Sequence, residues 1–569
     1  MKEIKDKKDN MEQLKKLFIM PNSPDKFVEF GHELLEMIHD FFQEKGGIHS
    51  SISLPELSEL FNQTSVPEKP QLIKDVLKEI KEKIIKHSVK VGSPYYIGHM
   101  ISAIPYFMIL LEMIIAALNQ NQVKIETAKA SSFVEREILA WLHKLVFKRK
   151  ERFYKKNIQN PKVALGNVTS DGTIANLTAL LVAREKAFPP DGNFPGVRVT
   201  GMEKALKHYG YSRGVIVVST RGHYSIRKAA NILGIGEENV ILIPVDDHNK
   251  VDIKKLRRKV RLLTEGKRRK RAKVIAIIGI AGTTETGNVD NLEELSEISK
   301  EVGAHFHVDA CWGGAALLVD EYKHLFKGIE KADSVTIDAH KLFYCPMTMG
   351  IVLFRNEKDL NYIKYSSQYV IRKNSVDIGR FTIEGSRPFS CLKPWAALKI
   401  IGKNGYKLLF KHAKNSTETL KAILEENGNF EVLNEPELFI LIYRFIPKEV
   451  REELNLLLEK YKSNKRKNKE LEQKIKKINC LINALNVKLH KELRRDDTTF
   501  VSRTKLESTR YKPYNIVVLR AVPINPLTTE EILRKIVSVQ TCIGMKLWKE
   551  FRPAYLRLLE QEERRVGLV

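Results

Sequence analysis

Ser334-Val-Thr-Ile-Asp-Ala-His-Lys341 reads as a short β-branched strand that ends in a polar turn and carries one lysine to its tip. Similar runs recur at Val163–Leu165, Val215–Ser219, Val240–Pro244, Val274–Ile280, His305–Asp309 and Gly350–Phe354. Between them lie helical patterns: Ala175–Lys186, Ser225–Leu233, Ile253–Leu263 and Asn291–Val302. Such alternation predicts an α/β domain with a mostly parallel sheet covered by helices. In that architecture ligands bind at the carboxyl ends of the strands. Polar residues just after these strands are therefore expected to meet in one cleft.

The flanking regions differ. Residues 1–120 read as a helical segment, with apolar residues at helical spacing over Asp25–Glu44 and Leu72–His87. Residues 121–405 form the expected large domain and 406–569 a smaller α/β domain. Within the latter, about 447–500 is a Lys/Glu/Leu-rich stretch without glycine that suits a long solvated helical insertion. A strand at Ile516–Val522 and a capped helix from about Thr528 close the chain. The most apolar run, Ala103–Leu118, contains Pro105 and Glu112. It falls short of the roughly 20 residues of a membrane span, so it is expected to be a buried or interface helix.

Lys and Arg number 96 against 69 Asp and Glu, a net charge of +27. That excess favours acidic partners, but it is spread along the chain without aromatic interleaving or zinc-finger spacing, so no nucleic-acid partner is expected. Five widely spaced cysteines without a CxxC pair point to a reducing compartment and away from a disulfide framework or structural zinc. With no apolar leader at the N-terminus, a cytoplasmic protein is expected.

The chemistry sits at the strand ends. Gly166-Asn-Val-Thr-Ser-Asp-Gly-Thr-Ile-Ala-Asn176 turns directly into a helix, which makes a phosphate cradle or an ordinary N-cap. Ser219-Thr-Arg-Gly-His-Tyr-Ser225 offers His223 as a ring that could stack on an aromatic cofactor, or as a structural hydrogen-bonder. His305-Phe-His-Val-Asp309 ends an apolar strand in an aspartate that needs a cation, such as a protonated pyridine nitrogen. Lys341 can form a Schiff base if burial and nearby positive charge hold its amine partly neutral. No carboxylate or cysteine lies at ligand spacing with these histidines, so no metal is assigned. Together these parts are what pyridoxal 5'-phosphate requires of a protein.

Thr169–Asn176, Gly222-His223, Ala281-Gly-Thr-Thr284, His307–Gly314 and Asp338-Ala-His-Lys341, in that order, resemble the group II pyridoxal-dependent amino-acid decarboxylases. The resemblance runs from about residue 90 to the C-terminus. It implies a type I, aminotransferase-like fold, a homodimer with its active site at the interface, and a set of roles. Gly172 and Thr173 would hold the phosphate, helped by Thr283, Thr284 and His340. His223 would stack on the ring, Asp309 would face the pyridine nitrogen, and Lys341 would carry the cofactor. Arg520 would bind the substrate carboxylate, with His99 and Asn119 on the substrate side.

Tyr95–Met100, Gly287-Asn-Val-Asp290, Ile383–Arg387, Phe500–Thr504 and the charged insertion give a narrower resemblance to the long bacterial aspartate 1-decarboxylases, which make β-alanine for pantothenate. The implied substrate is a small acidic L-amino acid: aspartate first, glutamate second, an aromatic amino acid or another reaction on the same fold after these. Where the family often carries a loop tyrosine as proton donor, this chain has Val376. Lys341, His223, Tyr369 and water remain as candidates.

Overall fold

The structure, a computed structural model, describes residues 11–563 apart from 13, 45–46, 266–270, 369–370, 374, 464–468 and 508. The chain divides into two compact units. The first comprises Met1–Gly92 with Arg495–Thr499 and is helical where it has regular structure. Its helix Phe27–Gln43 is amphipathic yet buries no residue. Leu54–Glu59 opens on a capping box in which Ser53 Oγ accepts from the Glu56 N–H while the Glu56 carboxylate accepts from the Ser53 N–H. Asp497 ties Ile48 and His49 by accepting both of their backbone N–H groups.

The second unit holds the rest, with two sheets at its centre. The larger is seven-stranded, in the order β1 (Gly166–Thr169), β7 (Gly350–Phe354), β6 (Ser334–Asp338), β5 (His305–Asp309), β4 (Ala272–Ile280), β2 (Arg213–Ser219), β3 (Val240–Ile243). Every neighbouring pair is parallel except those that β7 makes with β1 and β6. The carboxyl ends of all the other strands therefore lie on one edge. The strands are almost wholly buried because helices cover both faces, which explains their near-continuous apolar sequences.

The first strand lies three residues beyond the expected Val163–Leu165. Pairing decides its place: Gly166–Thr169 runs antiparallel to Gly350–Leu353. There Asn167 Nδ2 donates to the Phe381 carbonyl at 2.7 Å, and this tertiary pairing overrides the stronger apolar run just before it.

The smaller sheet is antiparallel, in the order β10 (Ser502–Leu506), β11 (Ile516–Ala521), β9 (Leu441–Phe445), β8 (Phe430–Val432). The charged insertion is not a solvated helix. It forms helices Lys448–Ser463 and Lys469–Asp496, whose Leu454, Leu457, Ile475, Ile478, Ile482, Leu485 and Leu489 are buried. The second helix is fastened to the sheet by asparagines: Asn486 accepts from the Phe445 N–H and donates to its carbonyl, at 2.9 and 2.8 Å, and Asn483 accepts from the Val517 N–H.

The apolar run at 103–118 becomes the helix Tyr106–Leu118 after Pro105, and it buries only Met108 and Ile115. Tyr106, Leu110, Met113, Ile114 and Leu118 face solvent in the single chain. Among the described residues no helix is long and apolar enough to cross a membrane, and no group of three His, Cys, Asp or Glu is placed to hold a metal.

Candidate active site

Sheet register assembles the site. Gly350 pairs with Thr169 on one side and Asp338 on the other, so the turn after β1 and the turn carrying Lys341 are neighbours despite their distance in sequence. Asp309 pairs with Thr336 and, across β4, with Ile280, just before the turn Ala281–Thr284.

The turn after β1 is both an N-cap and a cradle. Asp171 Oδ1 accepts from the Ile174 N–H at 2.9 Å, capping the helix Gly172–Ala187. The amides of Gly172 and Thr173 belong to the first helical turn, which has no acceptors of its own and carries the positive end of the dipole. A Cβ on Gly172 would stand 2.5 Å from Cys311 Sγ and 2.7 Å from Asp338 Oδ1, so only glycine lets the backbone approach here.

Lys341 Nζ is 2.9 Å from Asp338 Oδ2. Burial alone would lower the lysine's pKa, but Asp338 first, with Cys311 and Asp309, together outweigh it and the net shift is upward. The surroundings therefore hold the free amine as ammonium, the reverse of the expectation from sequence. His340 is buried with Nδ1 set between the Met349 N–H and carbonyl at 3.1 and 2.9 Å, and burial lowers its pKa.

Asp309 is buried at the end of β5 and is held on both oxygens. Oδ2 accepts from Asn176 Nδ2 at 2.9 Å, and Oδ1 accepts from the Cys311 N–H at 3.1 Å. Burial alone would raise its pKa, but a hydrogen bond from the Cys311 side chain and the positive charge of Lys341 lower it, so it stays a carboxylate. His223 is half-buried, with its pKa lowered by burial, and its Nδ1 lies 2.8 Å from Ser225 Oγ.

Arg520 is buried on β11 and donates from Nε to the Thr284 carbonyl at 2.8 Å and from Nη1 to the Gly98 carbonyl at 3.1 Å. Its Nη2 is buried with no partner. Burial brings its pKa down to about 10, still cationic at neutral pH. His99 is exposed at the rim, yet the protein behind its ring and the charges of Arg520, Lys341 and His340 press its pKa below the ordinary value.

Three expected residues are placed differently. The Thr283 hydroxyl is spent inside its own turn, 2.8 Å from Thr286 Oγ1 and 3.2 Å from the Asn288 N–H that donates to it, while Thr284 contributes its carbonyl to Arg520. Asn119 ends the helix Tyr106–Leu118 in a left-handed conformation, φ 43°, and among the described residues it makes no hydrogen bond to the groups above. Tyr369 lies outside the described residues, and Val376 is exposed.

Sequence reasoning passed over Asn176, Asp338 and Glu285. Glu285 is the carboxylate that favours charge on both Arg520 and His223, and its Oε2 is buried without a partner. A signal for Asn176 was present in strand period: His305, His307 and Asp309 share one face of β5, and such a polar face requires polar partners.

The donor set fits pyridoxal phosphate. It offers an amide cradle that a Cβ would fill, a half-buried imidazole, a buried carboxylate kept ionised at a strand end, and one lysine beside them.

A helix-covered sheet of this order with such a site defines a pyridoxal-phosphate enzyme of type I fold. Residues 55–446 match the family model described as pyridoxal-dependent decarboxylase conserved domain, and the chain belongs to that family. It is thus a pyridoxal-phosphate-dependent amino-acid decarboxylase. It is 38% identical over 532 residues to an aspartate 1-decarboxylase of Aliivibrio fischeri, covering 93% of this chain and 94% of that one. It is 25% identical over 534 residues to an aromatic-L-amino-acid decarboxylase of Bacillus atrophaeus, covering 91% of this chain and 95% of the other. Among solved structures it resembles the mouse CSAD apo form with a TM-score of 0.74 at 21% identity, over 91% of this chain and 99% of that one.

Proposed function

We propose that this chain decarboxylates a small acidic L-amino acid, L-aspartate to β-alanine and CO2. The observation that carries this reading is the cationic mouth of the site. Arg520 keeps a buried guanidinium edge without a partner, and the Arg520 and Lys341 charges both act on His99 at the rim. A dianionic substrate suits such a mouth, and a planar fork suits one of its carboxylates. The near full-length likeness to a protein named aspartate 1-decarboxylase supports the same choice.

The residues divide the work. Gly172 and Thr173 present amides to the phosphate, with His340 nearby; Thr283 and Thr284 brace that side of the cleft. Asp309 would hold the pyridine nitrogen protonated, and His223 would stack on the ring. Pyridoxal phosphate, when bound through Lys341, supplies the electron sink that lets CO2 leave. Arg520 would bind the substrate carboxylate, while His99 and Asn119 would line the substrate side. The proton returned to Cα comes from Lys341, His223, Tyr369 or water.

The exposed apolar face of Tyr106–Leu118 supports a homodimer. The free cysteines support a cytoplasmic protein, and β-alanine would serve as a precursor of pantothenate. Glutamate, one methylene longer, is the second reading, favoured by the same cationic mouth. The test is CO2 release with product analysis for aspartate, glutamate, 2,4-diaminobutyrate and tyrosine. Fastest turnover of aspartate is expected; no CO2 from either acidic substrate, or preference for tyrosine, overturns the assignment.

A further inference from the structure

Behind the site runs a buried hydrogen-bond network whose centre is Asn176. Asn176, His307, Ser225 and Ser334 are all essentially inaccessible to solvent. Asn176 Nδ2 lies 2.9 Å from Asp309 Oδ2 and 3.1 Å from Ser225 Oγ, and its Oδ1 lies 3.0 Å from His307 Nε2. The amide has two hydrogens and one carbonyl, and all are engaged.

The direction of each bond can be worked out. A carboxylate only accepts, so Asn176 must present its NH2 to Asp309, and its carbonyl must face His307. His307 therefore carries its hydrogen on Nε2. Burial brings its pKa down to about 4, so it is neutral and its Nδ1 is an acceptor. Ser334 Oγ, 2.8 Å away, donates to that Nδ1 and accepts from His305 Nε2 at 2.7 Å. On the other branch Ser225 Oγ accepts from Asn176 and turns its hydrogen to His223 Nδ1 at 2.8 Å, where the Ser225 N–H also points at 3.3 Å. His223 is left with its hydrogen on Nε2.

We infer that Asn176 is a positioning residue that sets the carboxylate of Asp309 and the imidazole tautomer of His223 together. With the Cys311 N–H on Oδ1 and Asn176 on Oδ2, the carboxylate plane is fixed and a lone pair remains for the pyridine nitrogen. Through the Ser225 hydroxyl, and beside the Ser225 N–H, the same amide reinforces the tautomer of the stacking ring that carries its hydrogen on Nε2. The inference rests on the proposed roles of Asp309 and His223, so its test contains a control for them.

Apo-protein is prepared for wild type, Asn176→Asp, Asn176→Ala, Ser225→Ala and Asp309→Asn. Pyridoxal phosphate affinity and the absorption of the bound cofactor are then measured between pH 6 and 8.5, with circular dichroism as a check on folding. Asn176→Asp keeps the acceptor for His307 but can donate to Asp309 only when protonated. It should bind the cofactor at least tenfold more weakly than wild type at pH 8 and recover towards pH 6, a dependence wild type lacks. Asn176→Ala should be weak at every pH. Ser225→Ala should keep cofactor affinity within threefold and lower kcat with a shifted pH profile, because only the His223 branch is cut. Asn176→Asp with wild-type affinity and a flat pH dependence overturns the inference, provided that Asp309→Asn loses affinity. If Asp309→Asn also behaves as wild type, the proposed role of Asp309 itself has failed.

Discussion

Lys341 Nζ lies 2.9 Å from Asp338 Oδ2, while the other oxygen of Asp338 is buried with no partner. Asp338 ends β6, paired with Gly350, and its Oδ1 crowds the start of the helix Gly172–Ala187. One carboxylate thus faces both the lysine and the phosphate cradle, and its charge raises the pKa that burial would have lowered.

Removing that charge should therefore free the amine. In Asp338→Asn burial acts on Lys341 with its strongest opposition removed and Asp309 left as the remaining carboxylate, and the pKa falls. Capture of pyridoxal phosphate by the apo-protein, followed by stopped-flow absorbance, should shift to lower pH by about one unit or more, a tenfold faster rate at pH 7.5. An unchanged pH profile would show that Asp338 does not set the state of the lysine.

Arg520 tests substrate binding. Arg520→Lys keeps a positive charge but cannot span the Thr284 and Gly98 carbonyls and still offer a free edge. Loss of one charged hydrogen bond, worth about 1.5–3 kcal/mol, predicts a fall in kcat/KM of about ten- to hundredfold. Cofactor affinity should change by less than threefold, which an equilibrium titration checks.

Stability should fall in acid. Burial brings the pKa of His305 down to about 3 and those of His307 and His143 to about 4, below the unfolded value. As pH drops below about 6.5, the unfolded chain binds protons that the folded one refuses, and each histidine costs about 1.4 kcal/mol per pH unit. Buried Asp290, raised to about 6, has the opposite sign. It holds a proton that the unfolded chain releases, so it stabilises as pH falls from about 6 and offsets one histidine. Urea unfolding of holoenzyme should show a net loss of about 2–3 kcal/mol per pH unit between pH 6 and 5. His143→Gln should flatten that slope by about 1.4 kcal/mol per unit.

Glu135 and Arg387 form an ion pair at 2.9 Å in which both side chains are almost fully buried, and Arg387 also donates to the Val168 carbonyl at 2.8 Å. Arg387→Met strands a buried carboxylate and should cost about 3–5 kcal/mol in urea unfolding. Adding Glu135→Gln should recover part of that loss. Equal losses for the single and double substitutions would show that the carbonyl contact, not the ion pair, is what matters.

Much of this was legible beforehand because its physics is local. The strand from Ser334, the strand from His305 and the helices after residues 172, 225, 253 and 291 lie where their periods place them. Register was not legible: β1 moved to Gly166–Thr169 because β7 pairs there. The insertion showed its helices in its composition but not its burial, since Asn479, Asn483 and Asn486 each reach a partner on the small sheet, far off in sequence.

By itself the sequence determined the parts: a lysine, an aspartate, a histidine and a glycine turn, each at the end of a strand, because a strand's period and a turn's residue types are set by near neighbours. The tertiary structure decided their chemical states. Whether Lys341 is an amine or an ammonium, whether Asp309 stays ionised and which nitrogen of His223 holds hydrogen all follow from Asp338, Cys311, Asn176 and Ser225. Those groups arrive from other strands and helices, and charge and hydrogen bonding act across space, not along the chain.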